Sequence, residues 1–445
     1  MSVASQSRRR IAVVGAGVSG LSCAWLLSQA HEVTLYEGEE RLGGHSNTVM
    51  APGPDGDIAV DTGFIVYNAP NYPNLTALFD HFGVATKPAH MSFAVSVDDG
   101  AFEYSSHGAA GLFAQKRNLA SPKFWSMLAD LKRFHRRAPR DLPVLEISGI
   151  SLGEYLNQGG YGRMFMDHHL LPQAAAIWSA SSAQMADYPA AAFIRFYGNH
   201  RLLEVDMRPN WRTVDGGSGE YVRRLRQAFK GRVRAGEPVL SVSRDDAGGA
   251  VHTASGAERY DAVVLAVHSD QALRLLTEPT ADERRLLSAI PYQRNRAVLH
   301  HDIRQMPRRR SAWAAWNHVN RRGDDRQAGG VTYWMNQLQS LPGRPLMVTL
   351  NPVHAPDPDL VVGQYDYEHP LFTAAGLAAQ QALWSLQGRR GVWFCGAWFG
   401  SGFHEDGLQA GLAVAEQLGG VRRPWTVENE NGRIVLSQPT LAQAA

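Results

Sequence analysis

Gly15, Gly17 and Gly20 form a Gly-x-Gly-x-x-Gly turn between an apolar run, Ile11 to Val14, and a helical pattern, Leu21 to Leu27. The first glycine permits a tight turn, the second lets backbone approach a pyrophosphate, and the third lets the helix pack closely on the strand. Phosphates suit such a helix N-terminus, where free N–H groups and the helix dipole favour anions. Ser19, inside the turn, belongs to the same predicted contact set. A second strand pattern, Val33 to Tyr36, ends at Glu37, 22 residues after Gly15. An acid there accepts ribose hydroxyls and disfavours a 2′-phosphate. The expected class is α/β, a doubly wound, Rossmann-like dinucleotide-binding domain.

Past Glu37 comes Arg41-Leu42-Gly43-Gly44-His45, a second glycine pair that lets the chain run tightly beside a dinucleotide, with Arg41 able to pair with phosphate. Far downstream, Val392 to Cys395 reads as a strand ending in Gly396, followed by Gly402 to Leu408 and a helix near Leu408 to Leu418. A ligand touched by both chain ends is long, which suits FAD better than NAD. Short strands at Ala297–His300, Trp313–Trp316, Val331–Trp334 and Leu346–Leu350 suggest an antiparallel meander. The expected organisation is therefore interleaved. FAD-binding parts fall at 8–75, 206–275 and 386–421, with a helical substrate insertion at 76–205, a meander domain at 276–385 and a tail at 422–445.

With 44% hydrophobic and 19% charged residues, the 445-residue chain has a globular composition. Its formal charge of +2 predicts no bulk attraction to nucleic acid. No apolar run reaches the length of a spanning helix. Arg8–Arg10 followed by Ile11–Leu27 imitates a secretory signal, but the glycine turn explains the same stretch. Cys23 and Cys395 make no metal spacing, so a reduced, cytoplasmic protein is expected.

The run Glu37…Arg41-x-Gly43-Gly44, the Gly216-Gly217-Ser218-Gly219 turn before a helix and the Gly396…Gly407 segment resemble the flavin amine oxidoreductase superfamily. That group holds monoamine oxidases, phytoene-type desaturases and protoporphyrinogen oxidase. Asp61 to Asn68, Trp211 to Gly217 and Phe403 to Gly407 resemble a bacterial subgroup similar to the flavin domain fused to plant cyclopropane fatty-acid synthases. The resemblance implies non-covalent FAD. Gly15, Gly17 and Gly20 would cradle its pyrophosphate and Glu37 its ribose. Arg41, Gly43 and Gly44 would line the phosphates and ribityl chain, with His45 and Gly396 also expected to contact the cofactor. Val239 would recognise adenine, Gly63, Phe64 and Ile65 would flank the isoalloxazine, Gly407 and Leu408 would open the helix facing the pyrimidine, and Glu405 is also expected to contact the cofactor. Three departures stand out: His45 replaces the usual Arg, Ala397 replaces an acid, and none of the five Lys falls in the meander. The last weakens an amine-oxidase reading, since relatives of that type often place a Lys near flavin N5; Asn295-Arg296 aligns there.

His404, Glu405 and Asp406 are the candidate catalytic residues, as three ionisable groups before a helix that should touch the flavin. Capping and packing compete with that reading. His300 and His301 are not expected to share a metal, because neighbours on a strand face opposite ways, and with 17 His in the chain adjacent pairs such as His168-His169 are expected without one. Cys395 reads as a small core hydrophobe. Lys123 to Arg137 has apolar residues at helical spacing and a basic face, which suits either packing or peripheral contact with an anionic membrane. Trp313, Trp316, Tyr333 and Trp334 suit a substrate tunnel or a core. The expected reaction moves a hydride from a C–H bond of a lipid-like small molecule to flavin N5, with O₂ or a membrane acceptor reoxidising it. The favoured substrate is a fatty-acyl chain. A small amine is the alternative, and a non-catalytic FAD-retaining lipid-binding protein the third reading.

Overall fold

The computed structural model describes residues 8–203, 210–320 and 330–436. Its first layer is a five-stranded sheet in the order Arg232–Arg234, Glu32–Tyr36, Arg10–Val14, Ala262–Leu265, Val392–Phe394. All neighbours are parallel, with Ile11 opposite Val33 on one side and Ala262 on the other. Ile11, Ala12 and Val13 are fully buried, as a strand covered on both faces requires. Helices Val18–Leu27 and His404–Gly419 pack against each other beside this sheet, and the antiparallel strands Ser241–Asp245, Gly248–Thr253 and Gly256–Tyr260 also pack on it. The stretch that imitates a secretory signal is thus a strand and a helix inside the core. The polar tail is described as far as residue 436; its last nine residues, and residues 204–205, lie outside the described residues.

The second layer is a seven-stranded sheet ordered Val361–Pro370, Tyr292–His300, Met347–Leu350, Gly330–Trp334, Trp316–Asn320, Phe93–Val97, Phe102–Ser105. Three strands of the expected meander are here, but the one expected at Trp313–Trp316 begins only at Trp316. Arg310–Ala312 forms a short helical turn before it. The sheet is also wider than a meander of 297–350. Its edge strand Val361–Pro370 follows the meander, and a hairpin from the first insertion joins at Trp316–Asn320 through a parallel pairing. A helical cap lies alongside, dominated by Pro122–Ser148 and Ala190–Asn199. The expected Lys123–Arg137 helix therefore runs eleven residues further, through Pro139 and Pro143 to Ser148. Both prolines are exposed, so water can replace the backbone bonds they forfeit.

Candidate functional site

The glycine turn closes as its sequence requires. Gly15 has φ +101°, and a Cβ there would stand 2.6 Å from the carbonyl oxygen of Ala266. A Cβ on Gly20 would lie 1.8 Å from the carbonyl oxygen of Gly15, so helix Val18–Leu27 packs on the turn only because that atom is missing. Gly17 differs: beyond its immediate chain neighbours, nothing lies within 4 Å of where its Cβ would be. It is the N-cap of that helix and has no side-chain cap, so its neighbouring N–H groups face a cavity wide enough for phosphate. Gly43 N–H donates to the Ala16 carbonyl at 2.9 Å, tying the second glycine pair to the first turn.

Glu37 ends its strand beside this turn, where its carboxylate accepts from Ala16 N–H at 2.8 Å and Glu39 N–H at 3.1 Å. Arg41 is held by its own loop, donating to the Ser46 carbonyl at 3.2 Å and pairing with Glu39 at 3.0 Å. Asp61 joins the strand before Gly63 to the Gly216–Gly219 turn by accepting from Ser218 N–H at 2.8 Å and Ser218 Oγ at 2.7 Å. Burial raises its pKa to about 6. Phe64 N–H donates to the His45 carbonyl at 2.8 Å, which brings Gly63, Phe64 and Ile65 alongside the second glycine pair.

These parts line one cavity of about 1890 Å³. A single small ligand occupies roughly 300–1,000 Å³, so this space suits a dinucleotide and a second molecule together. Gly15, Gly17, Ser19, Glu37, Arg41, Gly43, Gly44, His45, Gly63, Phe64, Ile65, Val239 and Gly396 all line it. Every strand of the seven-stranded sheet contributes too: Tyr367, Tyr292, Leu350, Tyr333, Trp316, Phe93 and Tyr104, in sheet order. Six strand spacings at about 4.8 Å put its far wall roughly 29 Å from Tyr367, measured along the sheet. That wall carries Leu131, His135, His169, Gln173 and Ile177 from the helical cap. Of the aromatic residues proposed from sequence, Trp316 and Tyr333 line the cavity, whereas Trp313 and Trp334 pack edge-on against each other beside Met306 and Met347.

The structure separates the candidate catalytic residues. His404 lines the cavity, its ring stacked on Phe64 at 3.8 Å between centroids, with Nε2 2.8 Å from Ser46 Oγ and 3.1 Å from Tyr221 OH. Burial holds its pKa down to about 3, so its imidazole is neutral. Glu405 turns away and is fully buried. It caps another helix, Pro73–Phe82, accepting from Asn74 N–H, Asn74 Nδ2 and Leu75 N–H at 2.9–3.0 Å. Asp406 accepts from Phe403 N–H at 2.7 Å in a capping box and sits 3.5 Å from Arg433. Burial raises its pKa to about 6, against the pull of Arg433. Neither carboxylate reaches the cavity. The reading of Glu405 and Asp406 as acid–base residues, and of Glu405 as a cofactor contact, is corrected accordingly, and of the three only His404 meets the cavity. Gly20, Gly407 and Leu408 also stand behind the cavity wall. The helix begins at His404, so Gly407 and Leu408 lie inside it, and Ser19 Oγ donates to the Gly407 carbonyl at 2.7 Å where the two helices meet.

Sequence reasoning missed a histidine group at the nucleotide end. His45 lies 5.3 Å from His369 and 6.3 Å from His268 between ring centroids, and 5.1 Å from Tyr367. Burial, and then the neighbouring imidazoles, push the His45 pKa well down, and burial holds His369 at about 4. His268 stacks on Tyr292 and reaches Glu368 at 3.4 Å. Only His45 lay in a recognisable motif, because the other two come from separate strand ends. Asn295, placed by sequence where relatives often carry a Lys, bonds to His369 and Asn351 behind the wall, while Arg296 is exposed and bonds to Gln364. Cys395 is buried beside Cys23 in the core, away from the cavity. His300 and His301 bond to different partners, Thr349 and the Pro345 carbonyl.

The sequence profile described as "Flavin containing amine oxidoreductase" matches residues 18–305. The Mycobacterium tuberculosis protein AofH, named as a putative flavin-containing monoamine oxidase, is 26% identical over 272 residues, 58% of this chain and 56% of that one. The chain thus spans little more than half the length of this curated relative. A fatty acid isomerase from P. acnes that produces CLA superposes with a TM-score of 0.66 at 15% identity, covering 94% of this chain and 99% of the other. Cyclohexylamine oxidase from Brevibacterium oxydans gives 0.64 at 15% identity, covering 92% and 99%. At such identities the two solved structures share the fold with this chain.

Proposed function

The chain belongs to the flavin-containing amine oxidoreductases, and from that premise we propose that it is an FAD-dependent oxidoreductase of a long apolar substrate, a fatty-acyl lipid. The observation that carries the reading is the cavity under all seven strands of the substrate sheet. Acidic lining residues are Glu37 and Glu39 at the ribose end and Asp366 and Glu368 on the edge strand. Among the described lining residues, none of the stretch from Leu350 to Leu131 is a carboxylate. An acyl chain needs no charged partner there, since each buried CH₂ contributes about 0.8 kcal/mol. A buried ammonium needs a carboxylate or aromatic faces, and in this stretch the aromatic faces of Tyr333, Trp316, Phe93 and Tyr104 would have to hold it without a carboxylate.

FAD fits the residues present: the space beside Gly17 is open for its phosphates, and Glu37, held at the turn by Ala16 N–H, would take its ribose. When bound, FAD supplies a two-electron acceptor for a hydride from a C–H bond. The protein's part is placement. Helix Val18–Leu27 offers its N-terminus to the pyrophosphate, and helix His404–Gly419 presents its N-terminus at the cavity beside the Phe64–His404 stack. Desaturation also releases a proton, and neutral imidazoles on the cavity wall, His404 and the His45, His268 and His369 group, are the side chains that would accept it.

A second reading, a small amine, draws on the family and on Tyr365 and Tyr367, which lie two apart on the edge strand and both line the cavity. Anaerobic mixing of the yellow holoenzyme with unsaturated or methyl-branched phospholipids, and separately with primary and secondary amines, decides between them. Loss of flavin absorbance with lipids supports the proposal. Loss with amines alone overturns it.

A further inference from the structure

We propose that the outer face of helix Pro122–Ser148 docks on an anionic lipid bilayer and so places the far end of the cavity at the membrane surface. The proposal rests on the acyl-lipid reading for its purpose, but not for its geometry. At 3.6 residues per turn, Trp125, Lys132, Arg136, Arg140 and Ile147 fall within one narrow stripe of this helix. Phe124, Phe134 and Ala138 lie on the opposite side, fully buried in the domain. The stripe is therefore outward-facing along about 33 Å of helix.

Its chemistry is mixed in a way that selects the partner. Trp125 is 49% exposed and Ile147 89%, and Leu119, at 53%, accepts the Trp125 indole N–H on its carbonyl at 2.9 Å. Large apolar side chains thus stand at both ends of a run of cations. Lys132, Arg136 and Arg140 are exposed and make no ion pair among the described residues, whereas their neighbours Arg133 and Arg137 are paired with Asp130 and Asp141. A phosphodiester duplex would use the cations and leave the apolar ends in water. A bilayer interface uses both, with the indole at headgroup level and the cations on anionic lipid. No described helix is long and apolar enough to cross a membrane, so this contact would lie in the plane of the surface.

The same helix contributes Leu131 and His135 to the cavity wall, and the exposed His107 lines the same cavity. An acyl chain lifted from the bilayer would enter beside the stripe and run beneath the sheet toward Tyr367.

Flotation of the FAD-loaded protein with vesicles of saturated-chain phosphatidylcholine, alone or mixed with phosphatidylglycerol, tests this. Saturated, unbranched chains separate docking from turnover. Binding to mixed vesicles without any flavin reduction by lipids would retain the docking face and sink the acyl-substrate reading. The expected result is binding to mixed vesicles only, released by salt. A Lys132→Gln/Arg136→Gln/Arg140→Gln variant should bind on the order of 100-fold more weakly, at about 5-fold per cation. Trp125→Ser should weaken binding while leaving flavin content and unfolding midpoint unchanged. Wild-type protein that ignores mixed vesicles, or a triple variant that binds them as well as wild type, overturns the proposal. Loss of self-association or of duplex binding in the triple variant, with vesicle binding unchanged, assigns the stripe to a second copy or a nucleic acid and overturns it equally.

Discussion

Two residues at the phosphate turn separate folding from binding. A bulky substitution such as Gly17→Leu meets nothing within 4 Å of its Cβ beyond its immediate chain neighbours, so the chain should fold normally and lose FAD. Gly20→Ala meets a carbonyl oxygen at 1.8 Å and should fail to fold. Absorbance of the purified proteins and their circular dichroism distinguish the two outcomes. Glu37→Ala removes a charge-assisted hydrogen bond, roughly 1.5–3 kcal/mol, so FAD affinity should fall about 10- to 150-fold. Titration calorimetry on apoprotein measures it, and unchanged affinity would remove Glu37 from the ribose. These positions were legible in sequence because a missing Cβ and a strand-end acid are requirements of the turn itself. His404, Glu405 and Asp406 were not. Consecutive helical residues point about 100° apart, so three adjacent ionisable groups enter three different surroundings, and only burial reveals which one meets the cavity.

At the level of elements, Glu405 joins two helices, as its carboxylate caps Pro73–Phe82 from within His404–Gly419. Glu405→Ala leaves buried donors without an acceptor, at about 1–3 kcal/mol each. Denaturant unfolding should show a loss on the order of 4 kcal/mol, while the folded fraction retains its turnover. Lost turnover at unchanged stability would restore a chemical role to Glu405. The edge strand Val361–Pro370 shows why part of the substrate sheet was hidden. It alternates Tyr365, Tyr367 and His369 with Gln364, Asp366 and Glu368, and an edge strand with one wet face carries little apolar signal. The strands Arg10–Val14 and Ala262–Leu265 were readable because a parallel strand covered on both faces is apolar throughout. Helix Pro122–Ser148 outran its expected end because Pro139 and Pro143 fall on its exposed side, a tertiary fact that proline in a sequence does not disclose.

For the whole molecule, acid should be destabilising. His169, His200, His300 and His318 are buried, and burial holds their pKa values at about 4, 3, 4 and 4. Each is lowered from an unfolded value near 6.5, so its contribution is full above that pH and is lost as pH falls toward the folded value. At pH 5 each group costs about 2 kcal/mol, together about 8 kcal/mol of a typical 5–15. Asp61 and Asp406, raised to about 6, act oppositely and return about 1 kcal/mol each over the same range. Urea unfolding at pH 7.5, 6 and 5 should show a steep fall in stability, and a flat profile would contradict neutral buried imidazoles.

The substrate sheet and the nucleotide fold are assembled from interleaved segments, and the cavity reaches the helical cap along the hairpin of strands Phe93–Val97 and Phe102–Ser105. That cavity is the basis of the acyl reading, and chain length probes it directly. In anaerobic mixing, the apparent dissociation constant for flavin reduction should fall about 4-fold for each added methylene of the acyl chain, at about 0.8 kcal/mol per CH₂. The fall should continue until the chain spans the space from Tyr367 to Leu131. A dissociation constant that stays flat beyond a few carbons, or flavin reduced only by amines, would contradict a long acyl substrate.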